Sequence, residues 1–157
     1  ISQKTGEQIL YVSEDTDDIP TIEEVDGSEP SLMIFDDLIC ESKSVLQRIG
    51  NLYVQGRNKQ VSLIFLSQGY FEIDKMIRKN AGYIVIKKVN STKDLTRMVR
   101  EYKLDELGDK EMLATYNKII AQGMQNWFMI DLQTVDPSLK YRFNFGPLSS
   151  LENRLKK

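Results

Sequence analysis

Two short apolar runs with a helix-period segment between them constrain this chain more than any other feature. Leu32 to Phe35 is continuous and apolar, and it follows the turn signal Glu29-Pro30. Val61 to Leu66 is a second run of the same kind. Runs this short, bounded by turn residues, read as strands buried on both faces. Between them Val45, Leu46, Ile49, Leu52 and Tyr53 fall on one face of a helix over Glu41–Gln55, with Gly56 as its C-cap. Strand, helix and strand with a short return form a right-handed crossover between parallel neighbours.

The first run ends in two adjacent carboxylates, Asp36 and Asp37. Acids placed there emerge at the carboxyl edge of the sheet, where open α/β sheets bind ligands. Side by side they repel one another unless a cation lies beside them, and hydrated Mg2+ is the common answer. The pattern has the shape of a Walker B segment. Asp36 would then hold Mg2+ through water, and Asp37 would orient or deprotonate the water that attacks a γ-phosphate. The plain alternative is a solvated strand end.

The rest of the chain continues the alternation. Gln8–Val12 reads as a short strand, and residues 14–30 as an acidic loop with one helical turn at Ile19–Glu24. A short helix is expected over Glu72–Asn80, a third buried strand at Tyr83–Ile86, and helices over Ser91–Tyr102 and Asp109–Gln122. Two last strands are expected at Trp127–Asp131 and Tyr141–Phe145. Strands alternating with helices predict an α/β domain with a largely parallel sheet. It spans residues 1–150, with a polar, basic tail over 151–157.

Composition removes several chemistries. The 157 residues include one cysteine, Cys40, and no histidine. A disulfide within the chain, a His/Cys zinc site and a Ser-His-Asp triad are excluded. Carboxylates, Lys, Arg, Gln, hydroxyls or a hard metal must do any chemistry. Net charge is −2, so DNA binding requires a local patch or an assembled ring. No apolar run is long enough to span a bilayer, no signal peptide is visible, and the expected compartment is intracellular.

Three polar side chains are further candidates. Gln68 follows the second strand run in Leu66-Ser67-Gln68, and its amide both donates and accepts, which suits a γ-phosphate sensor or water holder. The alternative is a turn glutamine with no role. Arg57, in Gly56-Arg57-Asn58-Lys59, precedes that strand, at the edge opposite the strand tips. From there it reaches a neighbour's site in a ring, as an arginine finger does; the alternative is an exposed turn arginine. Arg78 is the second finger candidate, with a carboxylate such as Glu72 or Asp74 as its alternative partner. Trp127 and Phe128 lie in a strand and are read as core. No G-x-x-x-x-G-K-[ST] loop occurs in the chain, so backbone amides to cradle phosphates are missing from it.

Gly56-Arg57-Asn58, Leu66-Ser67-Gln68, Tyr70-Phe71, Ile77-Arg78-Lys79-Asn80 and Tyr83-Ile84-Val85-Ile86 follow Asp36-Asp37 in order. Together they resemble the poxvirus-type genome-packaging ATPases of the FtsK–HerA superfamily, most clearly from Ser31 to Lys88. The resemblance implies a P-loop ATPase core that binds ATP and Mg2+, assembles as a ring and drives double-stranded DNA into capsids. Capsid proteins would be further partners, and the location the host cytoplasm, a viral factory or the virion. It places Walker B at Asp36 and Asp37, the sensor at Gln68, and the inter-subunit arginine at Arg57, with Arg78 next. It also places the Walker A loop upstream of Ile1, so an N-terminally truncated ATPase is expected, inactive by itself. The alternatives are a non-catalytic α/β interaction subunit, or a P-loop helicase or translocase outside packaging.

Overall fold

The computed structural model describes residues 10–102 and 108–148, which divide into two compact units, residues 1–80 and 81–157. The first is built on the predicted crossover. β1 (Ser31–Asp36) and β2 (Val61–Leu66) pair in parallel, with Phe35 opposite Phe65 and Asp36 opposite Leu66. α1 (Lys43–Gln55) connects them; Ser42 caps its start by accepting from the Val45 amide at 3.4 Å. Gly56 follows α1 in right-handed conformation and opens a 3-10 turn, Gly56–Lys59; the left-handed residue is Gln60, at φ 56°.

α1 turns Val45, Ile49 and Leu52 onto the sheet. There they meet Phe35 and Val61, with Ile22, Val25 and Ile77 closing the cluster. Ile77 comes from α2 (Lys75–Asn80), shorter than the predicted helix because residues 70–72 form a separate 3-10 turn. One face of the sheet is thereby buried. The other is not: Leu32 and Ile34 are each 56% exposed, Ile64 41% and Leu66 45%. The expectation of strands buried on both faces fails here, because the single crossover helix covers one side only.

The second unit carries β3 (Tyr83–Ile86), α3 (Thr92–Glu101), α4 (Asp109–Ala121), β4 (Phe128–Asp131), β5 (Tyr141–Phe143) and β6 (Gly146–Pro147). The four strands form one sheet in chain order, antiparallel throughout. Among the described residues, parallel pairing, expected for most of the sheet, is confined to β1 and β2. The reason is the connection: two successive helices lie between β3 and β4, and the second undoes the reversal made by the first. Short turns then join β4, β5 and β6. Ile84, Ile86, Phe128, Ile130, Tyr141 and Phe143 are buried, as are Leu95, Met98 and Val99 of α3 and Tyr116 and Ile119 of α4. Phe128 stacks on Tyr141 at 5.8 Å and meets Tyr116 edge-on at 6.5 Å, as core residues do. The chain is a mixed α/β protein. Leu10–Val12 are not in a strand; residues 8–9 of that expected strand and the 151–157 tail lie outside the described residues.

Among the described residues, the buried charged group of this unit is Asp131, at the end of β4. Its Oδ1 accepts from the amides of Gln133 (2.9 Å) and Thr134 (3.0 Å), and its Oδ2 takes Arg142 Nη2 from β5. Burial pushes its pKa up, but the Gln133, Arg142 and Thr134 hydrogen bonds outweigh burial and hold the pKa below its ordinary value.

Candidate functional site

The register of β1 and β2 decides what the strand tips share. Asp36 is the last β1 residue and faces Leu66; the Asp37 amide then donates to the Leu66 carbonyl at 3.1 Å, extending the ladder by one bond. Ser67 and Gln68 follow Leu66, so the carboxylate pair and Gln68 emerge at one sheet edge. All three side chains are exposed. Alternation along β1 puts Asp36 on the open face with Leu32 and Ile34.

Asp37 has φ 57° and ψ 32°, the left-handed region. Few side chains adopt it; Asp and Asn do so most readily after Gly. The conformation turns the chain sharply off the strand into the 3-10 turn Leu38–Cys40. Two hard carboxylates at a strand tip fit a hydrated Mg2+, which takes one or two protein oxygens and keeps water and phosphate oxygens for the rest. Among the described residues no group of three or more His, Cys, Asp or Glu side chains converges to hold a metal.

Gln68 begins a tightly organised turn. The Ser67 hydroxyl donates to the Gly69 carbonyl and accepts from the Gly69 amide, both at 3.1 Å. The Glu72 amide returns to the Gly69 carbonyl, and the Glu72 side chain folds into the space that a Cβ on Gly69 would need. Tyr70 and Phe71 meet edge to face at 4.9 Å. Over both lies the Arg78 guanidinium, 5.0 Å from the Tyr70 ring centre and 5.5 Å from that of Phe71, with Nε donating to the Ile73 carbonyl at 3.1 Å. Arg78 therefore braces the turn after Gln68 within its own chain. The aromatic pair and the arginine were visible in the sequence; their stacking was not, because the pair lies in a 3-10 turn that extended backbone at Ile73 separates from α2.

This bracing carries an expectation. Arg78→Ala speeds amide exchange over residues 69–73 while the Ile49 and Leu52 amides stay protected. Arg78→Lys restores only part of the protection, because an ammonium lacks the flat guanidinium that stacks on rings. Hydrogen exchange read by mass spectrometry checks it; equal protection in all three proteins rejects the brace.

Arg57 is exposed in the Gly56–Lys59 turn, at the opposite end of β2 from Gln68, about 20 Å away by strand rise. Lys59 is bound to its own chain, donating to the Val25 carbonyl at 3.2 Å. The strand register thus puts Asp36, Asp37 and Gln68 at one end of the β1–β2 pair and Arg57 at the other, while Arg78 lies on the Tyr70 and Phe71 rings.

A family model described as "Poxvirus A32 protein" matches residues 9–133. No curated protein and no solved structure matches the chain.

Proposed function

Because the chain belongs to the poxvirus A32 protein family, we propose that it is the Walker B and sensor portion of an ATPase that moves double-stranded DNA into viral capsids. The family supports the coarser part of this reading, a role in viral genome packaging. The finer part is supported by one observation above all: the parallel β1–β2 register, which delivers Asp36, Asp37 and Gln68 to the same sheet edge.

In this reading Asp36 would hold Mg2+ through water, and the ion would supply positive charge to neutralise the phosphates of ATP. Asp37 accepts a proton from the attacking water, and Gln68 orients that water through its amide. Arg57, too far from its own site, serves the neighbouring subunit's site in a ring. This reading also needs a cradle of backbone amides for the phosphates, and no phosphate-loop motif is among these 157 residues. The non-catalytic reading needs no such cradle.

The full-length protein separates the two. The catalytic reading expects DNA-stimulated ATP hydrolysis that stops when Mg2+ is chelated. Mixing Arg57→Ala subunits with Asp37→Asn subunits, each of them impaired alone, is expected to restore part of the turnover, since a site formed between the two kinds keeps both Asp37 and the neighbour's Arg57. No recovery on mixing removes Arg57 from the shared site, and absence of hydrolysis in the unmutated protein leaves the interaction-subunit reading.

A further inference from the structure

One cleft in the second unit has no part in the nucleotide site. It encloses about 670 Å3 between the end of β3 and the end of α4, and its lining includes Lys87, Lys88, Asn117, Met124 and Asn126. No carboxylate lines it among the described residues. Both lysines are exposed.

Its walls are held in place. The buried Tyr116 hydroxyl donates to the Lys87 carbonyl at 2.8 Å and accepts from the Val89 amide at 2.7 Å. The backbone is therefore pinned on both sides of Lys88. Opposite, Asn144 bonds the Trp127 amide at 3.0 Å and the Asn126 side chain at 3.1 Å. Two ammonium groups and two amides are thus presented from a fixed frame.

The charge of the chain is segregated in the same sense. Residues 1–80 contain 8 basic and 14 acidic side chains, net −6, and residues 81–157 contain 13 basic and 9 acidic, net +4. The overall charge of −2 conceals a basic unit. Such asymmetry between halves points to a polyanion.

We propose that this cleft takes the phosphate backbone of duplex DNA, with Lys87 and Lys88 each neutralising one phosphate and the asparagine amides donating to phosphate or sugar oxygens. This rests on the reading that DNA is the partner and adds where the chain holds it. Backbone contacts carry no sequence information, so binding is indifferent to sequence.

Fluorescence anisotropy of the full-length protein on a random-sequence duplex, over a salt series, tests it. The double variant Lys87→Ala/Lys88→Ala is expected to lose affinity by about 10–30-fold near physiological salt, and its log–log salt slope is expected to shrink by roughly 1.8. Tyr116→Phe, which keeps every charge but unpins the lysines, is expected to weaken binding as well. Lys43→Ala, on the acidic unit, is expected to change neither quantity. Unmutated protein that binds while the double variant keeps its affinity and slope overturns the cleft. So does an equal loss in Lys43→Ala, which makes binding a matter of total charge. Unmutated protein that binds no duplex overturns both the cleft and the DNA part of the proposed function.

Discussion

Asp37→Asn in the full-length protein is expected to leave the fold intact and to lower ATP turnover by roughly 10²–10⁴-fold, the range of a lost general base. Asn is the informative replacement for a structural reason. Residue 37 sits at φ 57°, a conformation Asn adopts about as readily as Asp. Asn also keeps the side-chain size and a polar oxygen. What it removes is the negative charge and the capacity to accept the water's proton. Alanine would confound the result, since a non-glycine residue without a local polar group costs about 1–2 kcal/mol there. Steady-state hydrolysis, with circular dichroism to confirm folding, measures the effect. Full turnover in a folded Asp37→Asn protein removes Asp37 from the chemistry.

The largest expected effect on stability lies in the second unit. Arg142→Ala is expected to destabilise it by about 3 kcal/mol near neutral pH, at the low end for a broken buried pair because Arg142 keeps some solvent contact. Asp131 would then be a buried carboxylate with two amide donors and no cation. The pH dependence follows from the lowered pKa of Asp131. A carboxyl held below its unfolded value stabilises the fold above that unfolded value, near pH 4, and the contribution disappears as pH falls through the folded value. In the variant that contribution is already diminished. The deficit relative to the unmutated protein is therefore expected to be largest near neutrality and to shrink below about pH 4. Urea midpoints at both pH values check it; a deficit independent of pH means that Arg142 acts through packing and not through Asp131.

Neither Asp131 nor Arg142 is conspicuous in the sequence, and the reason is physical. Their pairing is diagonal across β4 and β5, and it exists only in a register that puts Met129 opposite Arg142. Local patterns carry the elements and not that register. β1, α1, β2 and β3 were legible because a short apolar run or a 3.6-residue period belongs to one segment alone. The side chains gathered at the β1–β2 edge were legible for a related reason: a single helix between two strands forces parallel neighbours and aligns their tips. Strand direction in the second unit was not, because it depends on two helices in series, α3 and α4. Burial of β1 was overread: Leu32-Met33-Ile34-Phe35 looks the same whether one face is covered or two. The Arg78 brace escaped because its parts meet through turn geometry.

The open face of the β1–β2 pair has a consequence for how the chain behaves in bulk. Leu32, Ile34, Ile64 and Leu66 form a contiguous apolar strip on two strands. Each strand has an outer edge that no other strand pairs among the described residues. A flat strip with unsatisfied edges is the geometry through which copies of a protein adhere laterally. A net charge of −2 supplies little long-range repulsion to oppose it. Lateral association of copies through this strip is therefore expected to cover the surface immediately beneath Asp36.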